Sequence, residues 1–481
     1  MSLRDDAKLL SRIYECQGST LSTNNSLLEI QEGNLLPFID ADLRMQLSPR
    51  AYESCKYRIP PINVLKRVVD KISTIYSKPP KRTIAGGTDL DAEMWQWYLD
   101  WFVIDVQMQN ANEYFSMHRA TALEPFLDKN MRPKLRSLPF DRFFVYAADM
   151  SDPLSITHFV KIMGKKTLKK LGSDGKYSDQ DCMILYCYTD SEFLIIDQYG
   201  DVQEEMMREK GLDGSNPFGK IPFVYINRSL TQVNPKADTD LFAMTKLIPV
   251  MITDINYALM FQSFSIWYTV DCQDEQLQLN PNTIISLKSD PQNPNKPSIG
   301  SIKPDLDSDK AFQAIKEQLG LWLQSRGIRP GATGEMSADT FASGISKMVD
   351  EMDTTYERKK TIPYFTDAEI GLFELITQHM HPVFTTNASF EQKAGFTQNL
   401  DYSVQFEEQI TVKTKMEILD EVEKELKNNL ISQESALKKA NPEWTEEQVG
   451  EELRKILGER EVVLEDNTAD KSLNGDETPE V

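Results

Sequence analysis

The chain has 481 residues, with 53 Lys plus Arg against 74 Asp plus Glu, a formal net charge of −21 and a pI of about 4.8. Its apolar fraction of 40% and aromatic fraction of 9% are enough to build cores, which excludes wholesale disorder, and roughly 100–200 residues per domain allows two to four domains. No apolar run reaches the ~18–20 residues of a bilayer span. The longest candidate, 241–270, is broken by Lys246, Asp254, Asn256 and Gln262, and the opening Met-Ser-Leu-Arg-Asp-Asp lacks a signal-peptide pattern, so a soluble, unexported chain with no membrane partner is expected. The acidic balance argues against a protein that grips nucleic acid through clustered Lys and Arg, but not against one that DNA must slide past.

Residues 1–56 are mixed and polar, with short amphipathic pieces such as 7–14. Pro60 and Pro61 suit a helix start, Ile62, Leu65, Val69, Ile72 and Tyr76 fall at helical spacing, and Lys78-Pro-Pro stops the run. A second helical stretch is expected over about 90–123; its Trp95, Trp97, Trp101, Phe102, Val106, Tyr114 and Phe115 read as core. From about 139 to 228 the period shortens. Phe143-Phe-Val-Tyr, Ile156–Ile162, Cys182–Tyr188, Glu192–Asp197 and Ile221–Ile226 read as strands, and their short connections, such as Ser173-Asp-Gly and Gln198-Tyr-Gly-Asp, favour an antiparallel sheet. Cys182 and Cys187 read as small core residues of one strand. Five scattered cysteines make no disulfide framework and fit synthesis in a reducing compartment.

A long helix is expected over 237–264, with Pro249 kinking it or marking its true start. A β-like, proline-rich excursion follows over 265–306, then a helix over 307–326 with Phe312, Ile315, Leu319 and Trp322 in register. Glycines 327, 331, 334 and 344 around Pro330 make the next stretch a loop, and a long helix resumes to about Lys360, interrupted at Ile362-Pro363 and continued to about His379. The charged block 411–460 is helical, with Thr445-Glu-Glu-Gln448 as a capping box, and 461–481 reads as a disordered acidic tail.

The chemistry-bearing motifs are absent. There is no phosphate-binding Gly-x-x-x-x-Gly-Lys loop, no Gly-x-Ser-x-Gly elbow and no His-Glu-x-x-His helix, so no catalytic, cofactor or metal residue is assigned. His379-Met-His381 is spaced too closely to share a helix face and reads as a surface feature or a helix end. Asp305, Asp307 and Asp309 read as a helix cap rather than a cation site.

What remains is an order of elements: long helix, β excursion, second helix, glycine-rich loop, long helix. With Lys-Pro-Pro-Lys-Arg after the first helical segment, Gly219-Lys-Ile-Pro-Phe-Val-Tyr-Ile-Asn-Arg before the long helix, Ala342-Ser-Gly-Ile-Ser-Lys and Asn441-Pro-Glu-Trp-Thr-Glu-Glu-Gln, it resembles the portal (head-to-tail connector) proteins of tailed double-stranded DNA bacteriophages over roughly 55–460. The likeness is architectural, with loose local motifs. It implies an α+β portal fold with a wing over 1–236, stem helices over 237–264 and 307–326, and a clip over 265–306. It also implies a tunnel loop over 327–341, a long helix and remaining wing over 342–410, and a helical crown over 411–460.

The resemblance further implies a ring, typically of twelve subunits, at one capsid vertex of the virion, assembled in the host cytoplasm. Its partners would be the terminase large subunit, head-completion or adaptor and tail proteins, major capsid and scaffolding proteins, and double-stranded DNA passing transiently through the channel. Carried onto this sequence, the tunnel-loop residues are Arg329, Pro330, Gly331, Thr333, Gly334, Glu335 and Ser337, with Arg329 either touching phosphate or bridging subunits. No enzymatic activity, cofactor or metal is implied. A packaging enzyme (terminase or nuclease) and a capsid or scaffolding protein are the other readings. Twelve copies would carry about −252, a charge suited to a conduit that DNA must not stick to.

Overall fold

The computed structural model describes residues 2–149, 152, 154–171, 177–263, 266–270, 298–302, 307–326, 328, 355–392, 394–406, 422–428, 431–441, 449–450 and 452–455. The chain is mixed α+β and divides into two compact units, 1–407 and 408–481. Among the described residues no helix is long and apolar enough to cross a membrane.

The first element corrects the sequence expectation. Residues 3–31 form one helix, α1 (Leu3–Gln31), capped by Ser2, where only short pieces are legible. The polar run around Gly18 breaks the apolar period, but the helix continues because both its ends are packed. Leu3, Ala7 and Leu10 sit in one core, Leu27 and Ile30 in another. The helices α2 (Leu36–Gln46) and α3 (Pro49–Cys55) follow. Pro60 and Pro61 do not start a helix; α4 (Val64–Ile72) begins after Asn63, whose Oδ1 accepts the Lys66 amide at 2.9 Å. Pro61 keeps Pro60 out of the α region, and the start is set instead by the Asn63 cap. The helix stops at Ile72, before Lys78, and strand β1 (Lys81–Ala85) follows.

The stretch expected as one helix over 90–123 is α5 (Asp89–Phe102), α6 (Ile104–His118) and then strand β2 (Ala120–Leu127). The break between the helices is Val103, left-handed at φ 49°, an uncommon conformation for a β-branched residue. Neither β2 nor β3 (Pro133–Pro139) is legible in the sequence, because Pro125, Pro133 and Pro139 disguise them; β3 is an edge strand, where proline is tolerated. Next come β4 (Phe143–Tyr146), β5 (His158–Leu171), β6 (Tyr177–Tyr188), β7 (Phe193–Asp197), the short α7 (Glu204–Glu209) and β8 (Val224–Asn227).

They make two antiparallel sheets rather than one: β3-β2-β8 and β4-β5-β6-β7. The sheets share a core in which Phe159 stacks on Phe223 at 4.0 Å, with Ala120, Ala122, Phe140 and Phe143 around them. Cys182 and Cys187 are buried in β6, five residues apart and so on opposite faces. The first turns of α1 lie on the second sheet. Gly200, in the turn after β7, is at φ 80°, and a Cβ there would stand 2.9 Å from the Ala7 carbonyl oxygen, so only glycine lets the helix approach.

The remaining elements of the first unit are α8 (Thr239–Ser263), the antiparallel pair β9 (Ile266–Val270) and β10 (Ser298–Ile302), α9 (Ser308–Ser325), α10 (Thr355–Glu374), α11 (His381–Phe384) and β11 (Asp401–Gln405). Pro363 does not interrupt α10. Phe365, Ala368 and Leu372 are buried in the same core as α5 and α6, and that burial outweighs the ~3 kcal/mol of an interior proline. A wider π-type turn, 375–380, joins α10 to α11.

His379 and His381 lie at helix ends, one of the two expectations, but His381 is not a surface feature. It is 1% exposed, bonded through Nδ1 to the Tyr98 hydroxyl (2.9 Å) and through Nε2 to the Ala394 carbonyl (2.7 Å). Strand β11 returns to pair with β1, and a buried cluster ties them to α10: Arg82 donates to both oxygens of Glu369 (2.7 and 2.9 Å), which also accept from the hydroxyls of Tyr76 (2.8 Å) and Tyr402 (3.2 Å). In the second unit, helical segments over 422–427 and Gln433–Ala440 are joined by the Lys439–Glu425 ion pair at 2.8 Å.

Candidate functional site

The expected stem is the pair α8 and α9. Leu241, Ile248, Ile252 and Ile255 of α8 are buried, and Ile252 and Ile255 meet Ile315, Leu319 and Leu323 of α9 in one apolar seam, with Val64 and Val68 of α4 closing its side. The two helices run antiparallel. The last residue after α9, Arg326, is bonded to Asp238 just before α8, while the other ends lead into the paired strands β9 and β10.

Pro249 does not mark the start of α8; it lies inside the helix and leaves the Thr245 carbonyl without its usual donor. The hydroxyls of Thr245 and Thr253 bond back to the carbonyls of Leu241 and Pro249, both at 2.8 Å, an arrangement that bends helices locally. Asp307 caps α9 through the Lys310 amide (3.2 Å), as its sequence position implies. Lys246 ties α8 to α2 through Asp42 at 2.9 Å.

The base of the hairpin is fixed by Asp238, which sequence reasoning did not single out. Its side chain is 3% exposed, accepts from Arg326 and from the Leu241 amide (3.1 Å), and lies 3.4 Å from Arg119 at the end of α6. Burial alone would raise its carboxyl; the hydrogen bond and charge of Arg326, the amide and Arg119 overrule that and hold it below the ordinary carboxylate range. The only sequence signal was an aspartate placed to cap a long helix.

The exit toward the expected tunnel loop is anchored too. Ile328 is 3% exposed, packs in the stem seam, and donates its amide to the Leu323 carbonyl at 3.0 Å. Arg329, Pro330, Gly331, Thr333, Gly334, Glu335 and Ser337 lie outside the described residues, as do residues 271–297 of the expected clip, the capping box at 445–448 and the tail. Beyond them the chain is described again at α10, where Glu357 accepts from Arg228 at 2.5 Å, just after β8.

Other features are structural. His118 is fully buried between the Asn24 carbonyl (3.1 Å) and the Phe140 amide (3.2 Å); desolvation pushes it down to about 3. Among the described residues no group of three or more His, Cys, Asp or Glu side chains is placed to hold a metal ion. No protein-family model matches this chain, and no curated protein does.

Proposed function

We infer that this chain is a portal protein: a structural subunit that assembles into a ring, of twelve copies by the family plan, around a channel for DNA packaging and ejection at one capsid vertex. The observation that carries the reading is the stem. Two antiparallel helices, separated by a strand pair and locked at their base by Asp238 and Arg326, lead through a buried Ile328 into the glycine-rich stretch 329–341.

A rigid hairpin with a fixed exit suits the channel-lining part of such a ring, because a glycine-rich loop needs a firm base to shift around DNA without repacking the body. The wing of that plan is then the pair of sheets with α1 to α7, the clip carries β9 and β10, and the crown carries the second unit. Terminase and adaptor or tail proteins dock on the clip in this reading, and capsid and scaffolding proteins surround the wing. The chain acts without catalysis.

Electron microscopy of the purified full chain tests it. The expected result is closed rings with an axial hole; monomers at every concentration and salt, or compact particles without a hole, overturn the reading and return the packaging-enzyme and scaffold alternatives. Deleting 329–338, which spares the buried Ile328, is expected to leave assembly intact and to impair packaging or retention of DNA.

A further inference from the structure

In a chain of net charge −21, one surface is locally inverted. Arg132, Lys134 and Arg136 stand at every second residue along edge strand β3 and the turn before it, and the exposed Lys129 lies in that turn. At ~3.3 Å per residue they form a ladder of charge about 13 Å long. The guanidinium of Arg132 lies 4.6 Å from the Trp101 ring centre, the Lys134 ammonium 5.3 Å from the same ring, and Arg136 4.7 Å from the Phe126 ring. The aromatic faces hold the cations without neutralising them.

The nearby carboxylates are already engaged. Glu124 takes the buried Lys161 ammonium on both oxygens (2.5 and 2.7 Å) and is 3.5 Å from Arg136, so two cations share one charge. Asp128 accepts the amides of Asn130 (2.7 Å) and Arg132 (3.0 Å) and closes the turn; its charge faces Arg132 and Lys134, which together with Lys129 outnumber it.

We propose that this ladder is a docking surface for the phosphate backbone of duplex DNA. A row of evenly spaced cations fits a repeating polyanion better than a single anion. An acidic peptide adding as a strand is disfavoured by the edge itself. The Ser137 amide points away from β2 and donates to Gln107 Oε1 at 3.2 Å, so the outward amides belong to residues 133, 135, 137 and 139. Pro133 and Pro139 have none and Gln107 occupies that of Ser137, which leaves Leu135 alone. The choice of DNA over another polyanion rests on reading this chain as a DNA conduit.

The test is fluorescence anisotropy of the full chain with a labelled 30-base-pair duplex across a salt series. Binding is expected to be weak, independent of sequence and steeply salt-dependent. The Lys134→Ala and Arg132→Ala variants should each flatten the slope of log K against log[salt] by about 0.9, while Arg132→Lys keeps it. Lys134→Gln and Arg132→Gln serve the same purpose if an alanine variant misfolds. Unchanged slopes in correctly folded variants overturn the proposal, as does equal binding of poly-glutamate, which would assign the surface to an acidic protein. Microscopy of the same preparations separates the two readings: rings with unchanged slopes overturn only the docking surface, and flattened slopes in a protein that never forms rings overturn only the conduit.

Discussion

Two buried residues with opposite titration behaviour lie near the end of α6. His118 is held neutral by burial, with a folded pKa of about 3 against an ordinary 6.5; between those values the unfolded chain binds more protons and stability rises with pH. Asp141, one residue past the Phe140 that bonds to His118, is raised by burial to about 6 from an ordinary 3.8, so between those values the folded chain binds more protons and stability falls as pH rises. Over about pH 4–6 the two nearly cancel. Asp141→Asn removes the falling contribution, so its stability relative to wild type should rise by roughly 1.4 kcal/mol per pH unit across that range. Urea midpoints at pH 4, 5 and 6 measure this, and parallel curves for the two proteins would refute it. Asp238 acts in a third window. Its depressed pKa gives stability that is present above the ordinary carboxylate range and lost as pH falls through the folded value. Asp238→Ala leaves Arg326 with a side chain only 21% exposed and the Leu241 amide uncapped, at a cost of about 2–4 kcal/mol at neutral pH. Arg119, 43% exposed, should cost less than 1 kcal/mol when removed.

At the scale of elements, what the sequence shows depends on whether local pattern and tertiary packing agree. The α9 helix, its Asp307 cap and the five strands from Phe143 to Ile226 are legible because their apolar periods are clean and their burial follows them. The α1 helix is not, because its middle is polar: residues 15–20 carry no large apolar side chain, and its continuity comes from the packed ends. Gly18 sits in that middle with nothing within 4 Å of where a Cβ would stand. Gly18→Ala is therefore expected to stabilise the protein by about 0.5–1 kcal/mol through helix propensity alone, read as a higher urea midpoint at unchanged slope. A loss of stability would mean that this face of α1 is packed in the assembled protein. The converse failure is β2 and β3, whose prolines argue against strands until it is known that β3 is an edge strand and that Pro125 lies beyond the Ala120–Leu123 stretch where β2 pairs with β8. Pro363 shows the same override inside a helix, where the buried core that follows the proline holds a conformation that local rules discourage. Between α8 and α9, the seam was legible as residues in register, but the Asp238–Arg326 lock was not, since it joins positions 88 residues apart.

At the scale of the whole molecule, charge is the property that the proposed ring would multiply. Each subunit carries −21, of which the segment 461–481 contributes −6 through seven acidic residues and Lys471. Bringing such subunits together costs electrostatic self-repulsion, while the apolar contacts that reward it are nearly independent of salt. At 10 mM salt the screening length is about 30 Å, comparable to the size of a subunit, and repulsion sums over neighbours; at 150 mM it is about 8 Å and only facing surfaces repel. Ring formation should therefore increase with sodium chloride between these concentrations, opposite to the salt dependence expected for DNA on the β3 ladder. A chain ending at residue 460 carries −15 and should assemble at lower salt than the full chain. Sedimentation velocity at 10, 50, 150 and 300 mM sodium chloride measures both. A ring fraction that falls with salt would show that complementary charges, not apolar surfaces, hold the subunits together, and an unshifted curve for the shortened chain would place the repelling charge within residues 1–460 rather than on the last 21.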